Sequence, residues 1–215
     1  MDDNTRDIAK SAVVAVRDAC GFIIEALLPN SVSGHFIITA AHCLPHLPPA
    51  DAASDTKCRT YQELVGRLDK RPPKVWAECV FADPVADIAV LERPDDQALK
   101  EKAKAYDELI KLAEALPIAD APEEGPGWLL TLDRKWMACE VQNVGRLWIF
   151  KAAKPIVGGM SGSPILNSDG AAIGVVCCSS GGEQIDQHTD GGPNPSLTDA
   201  LPGNLLRGIG IEAAG

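Results

Sequence analysis

The chain has 215 residues, carries 30 Asp and Glu against 20 Lys and Arg for a formal charge of −10, and is 46% hydrophobic. That is enough apolar chain to bury a sizeable core in one two-lobed domain or two small ones. The acidity argues against a nucleic-acid partner, which requires a dense basic surface, and no apolar run approaches the ~20 residues needed to cross a bilayer.

The N-terminus begins Met1-Asp2-Asp3, acidic and polar where a secretory signal would place positive charge ahead of an apolar core. A cytoplasmic protein is the expectation. The cysteines agree with it: there are seven, an odd number that leaves at least one thiol unpaired, and Cys177 and Cys178 are adjacent. No Cys-x-x-Cys pair or Cys/His cluster has metal-ligand spacing, so no metal and no cofactor are expected.

Residues 11–16 and 21–28 are rich in β-branched side chains, and the turn-forming Pro29-Asn30-Ser31 follows. Both read as strands. A third strand over 34–39 ends just before His42, and the segment 45–55 reads as a surface loop because Pro45, Pro48 and Pro49 cannot sit inside a sheet. Strands resume at 61–68, 74–81 and 87–92. Six short strands in residues 1–93 predict a closed antiparallel barrel.

Between 94 and 117 the periodicity changes. Leu99, Ala103, Tyr106, Ile110, Ala113 and Leu116 recur at three- or four-residue steps, which predicts an amphipathic linker helix opening near Asp95 and stopped by Pro117. Residues 118–215 then return to strands at 128–132, 136–144, 147–152, 164–166 and 171–178, a second barrel. Tryptophans 76, 128, 136 and 148 read as core or rim residues, 181–195 as a mobile loop, and 204–208 as a short turn or helix.

Three segments carry the chemistry. Gly158-Gly159-Met160-Ser161-Gly162-Ser163-Pro164 puts a serine in a tight glycine turn that leaves its hydroxyl approachable. Thr39-Ala40-Ala41-His42-Cys43 and Ala86-Asp87-Ile88-Ala89-Val90-Leu91 supply a base and a group to orient it. In this His, Asp, Ser order the segments resemble the catalytic signatures of trypsin-like, chymotrypsin-fold serine peptidases. The Asp-Ile-Ala-Val-Leu form is nearer the bacterial HtrA-like branch, without a recognisable PDZ extension.

The resemblance implies an all-β fold of two six-stranded antiparallel barrels, the first carrying His42 and Asp87, the second Ser161. It implies a serine endopeptidase with Ser161 as nucleophile, His42 as general base and Asp87 as its orienting acid. The backbone N–H groups of Gly159 and Ser161 would form the oxyanion hole. By position in the family, Pro155 and Ile156 would floor the substrate pocket and Gly174, Cys177, Cys178 and Ser179 would wall it, which favours an apolar or small side chain before the scissile bond; Asp186 or Asp190 could instead supply charge for a basic one. Asp83 and Ser163 read as turn residues. His35 and His46 take structural or surface roles, and His188 is expected in solvent.

Two departures from the family matter. Met160 stands where enzymes activated by clipping carry an aspartate, so no N-terminal cleavage is expected. Cys43 lacks the disulfide partner found in secreted relatives, since the corresponding stretch reads Glu25-Ala26-Leu27-Leu28. Two alternatives to an active enzyme stay open: a catalytically silent binding module, and a peptidase activated only by a protein partner. A protein or peptide substrate is the partner the first reading implies.

Overall fold

The structure, a computed structural model, describes residues 1–27, 33–49, 55–70, 72–120, 124–177 and 190–211. Six strands form a closed antiparallel barrel: β1 (Val13–Val16), β2 (Ala19–Leu27), β3 (Ser33–Thr39), β4 (Thr60–Arg67), β5 (Val75–Asp83) and β6 (Ile88–Glu92). Their order is β1-β2-β3-β6-β5-β4, and the ladder from Val14↔Arg67 to Val16↔Val65 closes the ring. Residues Cys20 to Ile24 are all buried, without alternation. Strand β2 faces the barrel core on one side and carries other elements on the other, so it reads as a continuous apolar run.

The second sheet has β7 (Gly125–Leu130), β8 (Trp136–Asn143), β9 (Leu147–Phe150), β10 (Pro164–Leu166), β11 (Ala172–Val175) and β12 (Gly191–Asn194). Its order, β11-β10-β7-β8-β9-β12, leaves β11 and β12 as the two edges. These edges curl toward each other. An antiparallel bridge joins Gly174 to Ser196, and the Val175 N–H donates to the Pro195 carbonyl. The sheet is therefore a half-barrel drawn nearly shut, around Leu129, Met137, Val141, Leu147, Ile149 and Ile165.

Helix α2 (Asp96–Ile110) follows the first barrel. Asp95 caps it by accepting from the Gln97 N–H at 2.9 Å. The helix ends at Ile110, well before Pro117: the Leu112 and Ala113 N–H groups turn to the Leu109 and Ile110 carbonyls, and the Leu116 N–H donates to Ile23 O of β2 at 2.8 Å. A second difference lies at the N-terminus. Residues Asp3–Ser11 form helix α1, capped by Asp2 accepting from Thr5. Trp136 Nε1 donates to Arg6 O at 2.9 Å and the Arg6 guanidinium lies 4.6 Å from the Trp128 ring centroid, so α1 is strapped to the second sheet. A third is β12, which falls inside a segment expected as loop; residues 181–189 of that segment, including Asp186 and His188, lie outside the described residues, and Asp190 accepts the Lys151 N–H at 3.0 Å. Helices α3 (Leu197–Ala200) and α4 (Gly203–Ile209) finish the chain, α4 packing on β2.

One buried charge cluster lies on the barrel wall. Glu78 and Glu92 are register partners across β5 and β6, and Arg59 pairs with Glu78 at 2.7 Å. Burial first, and the neighbouring Glu78 second, push Glu92 up to about 7, with Arg59 opposing. The folded state therefore holds a proton on Glu92 that the unfolded state has lost above an ordinary glutamate's range. Stability is full below that range and falls as pH rises toward 7. Thermal midpoints should register this. Glu92→Gln, which cannot ionise, is expected to gain on the order of 2–4 °C over the wild type between pH 5 and pH 8; a constant difference across that window would remove the assignment.

Candidate active site

The barrel delivers the histidine. Strand β3 ends at Thr39, and Ala41–Cys43 make a single 3₁₀ turn closed by Cys43 N–H to Ala40 O and Leu44 N–H to Ala41 O. His42 stands on this turn with its side chain half exposed. Asp87 comes from the turn before β6 and grips His42 at two points. Its Oδ1 accepts the His42 backbone N–H at 2.9 Å and its Oδ2 meets the ring Nδ1 at 2.7 Å. A carboxylate only accepts, so Nδ1 carries a proton, and in the neutral ring Nε2 is the nitrogen that can accept one.

Electrostatics follow from that contact. The imidazole is pushed above its ordinary range by its bond to Asp87 first and by the Cys43 thiol second, with partial burial opposing. For Asp87, burial is the largest influence and acts upward. The hydrogen bonds from the His42 ring and backbone together outweigh it and hold the carboxyl below its usual value.

The Asp87 backbone is itself held from three sides. Asp87 adopts φ +61°, a left-handed conformation that aspartate tolerates better than most residues. Ahead of it, Asp83 Oδ1 accepts the Val85 and Ala86 N–H groups at 2.8 and 3.0 Å, the turn role its Asp-Pro setting suggests. Arg146, from the turn between β8 and β9, donates to Val85 O at 3.1 Å and Ala86 O at 2.6 Å. The Cys177 thiol donates to the Asp87 carbonyl at 3.1 Å. The second half of the chain thus fixes an aspartate contributed by the first.

The serine turn is fixed by the first half in return. The Cys20 N–H donates to Ser161 O at 2.9 Å, and Cys20 O accepts the Thr39 hydroxyl at 2.7 Å, three residues before His42. Gly162 makes the approach possible. It sits at φ +78°, and a Cβ there would lie 1.9 Å from Cys20 O. The turn is closed within itself by Met160 N–H to Val157 O and Ser163 N–H to Met160 O. Gly159 has φ +90°, and among the described residues neither its N–H nor that of Ser161 donates a hydrogen bond. The Ser161 hydroxyl likewise makes none among them. In unliganded sites such bonds are commonly long and tighten on substrate binding.

Met160 is 1% exposed and belongs to the second core, so packing holds the turn where an ion pair would in a clipped enzyme. Ser163 is fully buried and its hydroxyl has no partner among the described residues. Cys43 carries a free thiol. His46 packs on Tyr61 with centroids 5.1 Å apart, and the His35 carbonyl accepts from Tyr106.

The residues named for the substrate pocket stand in different surroundings. Pro155 is exposed, Ile156 is 1% exposed in the second core, and Gly174 lies in β11, where a Cβ would meet Leu147 at 2.3 Å. Cys177 abuts Asp87, while Cys178 and Ser179 lie outside the described residues. Two contributors were missed from sequence altogether. Arg146 clamps the Asp87 turn, and the fully buried Asn194 accepts the Cys177 N–H at 2.8 Å while donating to Leu147 O and Gly191 O. An arginine in a polar turn and an asparagine in a Gly/Pro-rich stretch carry no motif that distinguishes them.

Solved structures share this architecture. The chain is similar to the Rv3671c protease in its inactive form, with a TM-score of 0.54 and 19% identity over 97% of this chain and 94% of that one. An inactive-form serine-to-alanine variant of Rv3671c from M. tuberculosis H37Rv gives 0.53 and 18% over 97% and 91%. The apo MamO protease domain from Magnetospirillum magneticum gives 0.51 and 15% over 88% and 94%. At such identities the likeness speaks for the fold. No curated protein matches the chain. The family model for the trypsin-like peptidase domain matches residues 19–175, a span that includes His42, Asp87 and Ser161, and the chain belongs to that family.

Proposed function

We propose that this protein is a serine endopeptidase that cleaves protein or peptide substrates through Ser161, His42 and Asp87 by way of an acyl-enzyme. The observation that carries the reading is the two-point grip of Asp87 on His42, which holds the ring for use of Nε2 as a base, joined through Cys20 to a serine turn whose Gly159 and Ser161 N–H groups donate no hydrogen bond among the described residues.

Chemically the parts have distinct tasks. Ser161 Oγ attacks the scissile carbonyl as His42 Nε2 takes its proton, and the imidazolium then protonates the departing amine. Asp87 keeps the ring oriented and stabilises its charged form. The N–H groups of Gly159 and Ser161 receive the oxyanion, each such donor contributing roughly 3–4 kcal/mol to the transition state. Water then repeats the sequence on the ester carbonyl. The reading requires no cofactor. A resting Ser161 hydroxyl that makes no hydrogen bond among the described residues also suits an enzyme whose turn tightens when substrate or a protein partner engages it.

Mass spectrometry after exposure to a fluorophosphonate tests the nucleophile. A single adduct on Ser161 is expected in the wild type, absent in Ser161→Ala and slowed by about 10³-fold or more in His42→Ala; an adduct elsewhere, or equal labelling of His42→Ala, would refute the assignment. The pH dependence of kcat/KM tests the base. Because His42 is raised, activity should climb with pH through an acid limb centred above the ordinary histidine value of about 6.5. In Asp87→Asn that limb should move down and kcat should fall about 10⁴-fold.

Cys177 is a positioning residue in this scheme. Cys177→Ala should lower kcat about tenfold with KM unchanged, in keeping with loss of one modest hydrogen bond that shapes the transition state. Cys177→Ser should restore most of it. Equal kcat in all three proteins would leave Cys177 a packing residue.

A further inference from the structure

Away from the triad, three depressions run end to end across one face. One of about 400 Å³ lies between the β4–β5 hairpin and α2, and Lys70, Lys74 and Leu109 line it. A second, of about 320 Å³, reaches Lys10 of α1 and shares Arg67, Leu109 and Leu112 with the first. A third, of about 500 Å³, shares Leu68, Asp69 and Arg134 with the second and ends on Gly158, Gly159 and Met160. A continuous groove therefore leads from the outer side of α2 to the turn that holds Ser161.

Two features of the groove specify what it would hold. Leu112 is 62% exposed and Leu132 is 57% exposed, with Leu68 and Leu109 beneath them, so the floor offers apolar contact that a purely ionic ligand does not use. Around the first two depressions stand Lys10, Arg67, Lys70, Lys74 and Arg134, against the carboxylates of Asp69 and Glu108. Asp69 is already held by Arg67 through two bonds of 2.8 and 2.9 Å. Although the chain's net charge is −10, basic side chains outnumber acidic ones along the first two depressions, with Asp18 adding a carboxylate at the third. Charges separated by more than about 8 Å are screened at physiological ionic strength, so a bound segment experiences the local sign and not the global one.

We propose that this groove is an exosite for an acidic, leucine-bearing segment of the protein substrate, lying in continuity with the scissile bond. It rests on reading the Ser161 turn as a peptidase site, and it names the substrate class that site would favour. Acidic side chains engage Lys70, Lys74 and Arg134, and apolar ones seat on Leu112 and Leu132. Rim charges of this kind set encounter rate and selectivity, while the apolar floor sets residence.

The test reads binding and not cleavage, so it fails separately from the catalytic reading. Fluorescence anisotropy would follow a labelled 15-residue peptide alternating Glu pairs with Leu, titrated with the full chain carrying Ser161→Ala. Saturable binding is expected, weakened about fivefold or more by Lys70→Glu/Lys74→Glu and by Leu112→Ser, and weakened again at 0.5 M salt. A peptide with Lys in place of Glu should not bind. Circular dichroism of each variant verifies that these surface substitutions leave the fold intact. Absence of binding, equal binding by the variants, or equal binding of a Glu/Ser peptide without leucines would overturn the proposal.

Discussion

The seam where Gly162 presses against Cys20 is the constraint on which the rest of the molecule depends. At φ +78°, and with room for no Cβ, that glycine lets the Ser161 turn of the half-barrel lie directly on the first residues of β2. Cys20 then serves both sides. Its N–H holds Ser161 O and its carbonyl holds the Thr39 hydroxyl at the end of the strand that delivers His42. Position in such a site is governed by rigid elements and short hydrogen bonds, and here the two meet on one residue.

The traffic across the seam is reciprocal. The first barrel anchors the serine turn, whereas the second sheet anchors the aspartate, through Arg146 on the Val85 and Ala86 carbonyls and Cys177 on Asp87. Neither half holds all three side chains without the other. Behind Cys177 stands Asn194, which satisfies buried backbone groups at the closing edge of the half-barrel; a fully buried amide without those partners would cost about 1–3 kcal/mol. Closure of the sheet and placement of Asp87 are thus linked through one asparagine.

Several elements were readable from residues alone because their signals are local. The apolar runs of β2 and β3, the Asp95 cap of α2 and the glycine turn around Ser161 each state their own conformation through β-branching, a capping oxygen or the absence of a Cβ. Others needed partners. Helix α1 has nine residues and little intrinsic stability at that length; Trp128 and Trp136, far along the chain, hold Arg6 and hence the helix. Strand β12 has glycines and a proline that argue against a strand, and it exists because β9 offers it a ladder. The end of α2 was misplaced for a similar reason, since the chain beyond Ile110 is drawn off to distant partners, Glu114 to Ser11 and Leu116 to Ile23.

From sequence by itself came the family, the two-lobed all-β design and the candidate His42, Asp87 and Ser161, because each of those residues sits in a short motif whose chemistry is local. What surrounds them was decided only in three dimensions. Ile156 lies in the second core, Pro155 is exposed and Cys177 bonds to the Asp87 carbonyl, while Arg146 and Asn194 join the site without any motif. The physical reason is range. A turn or a cap is specified by a few neighbouring residues, but a clamp, a closing edge or a groove is made by side chains distant in sequence whose meeting depends on how the two sheets pack.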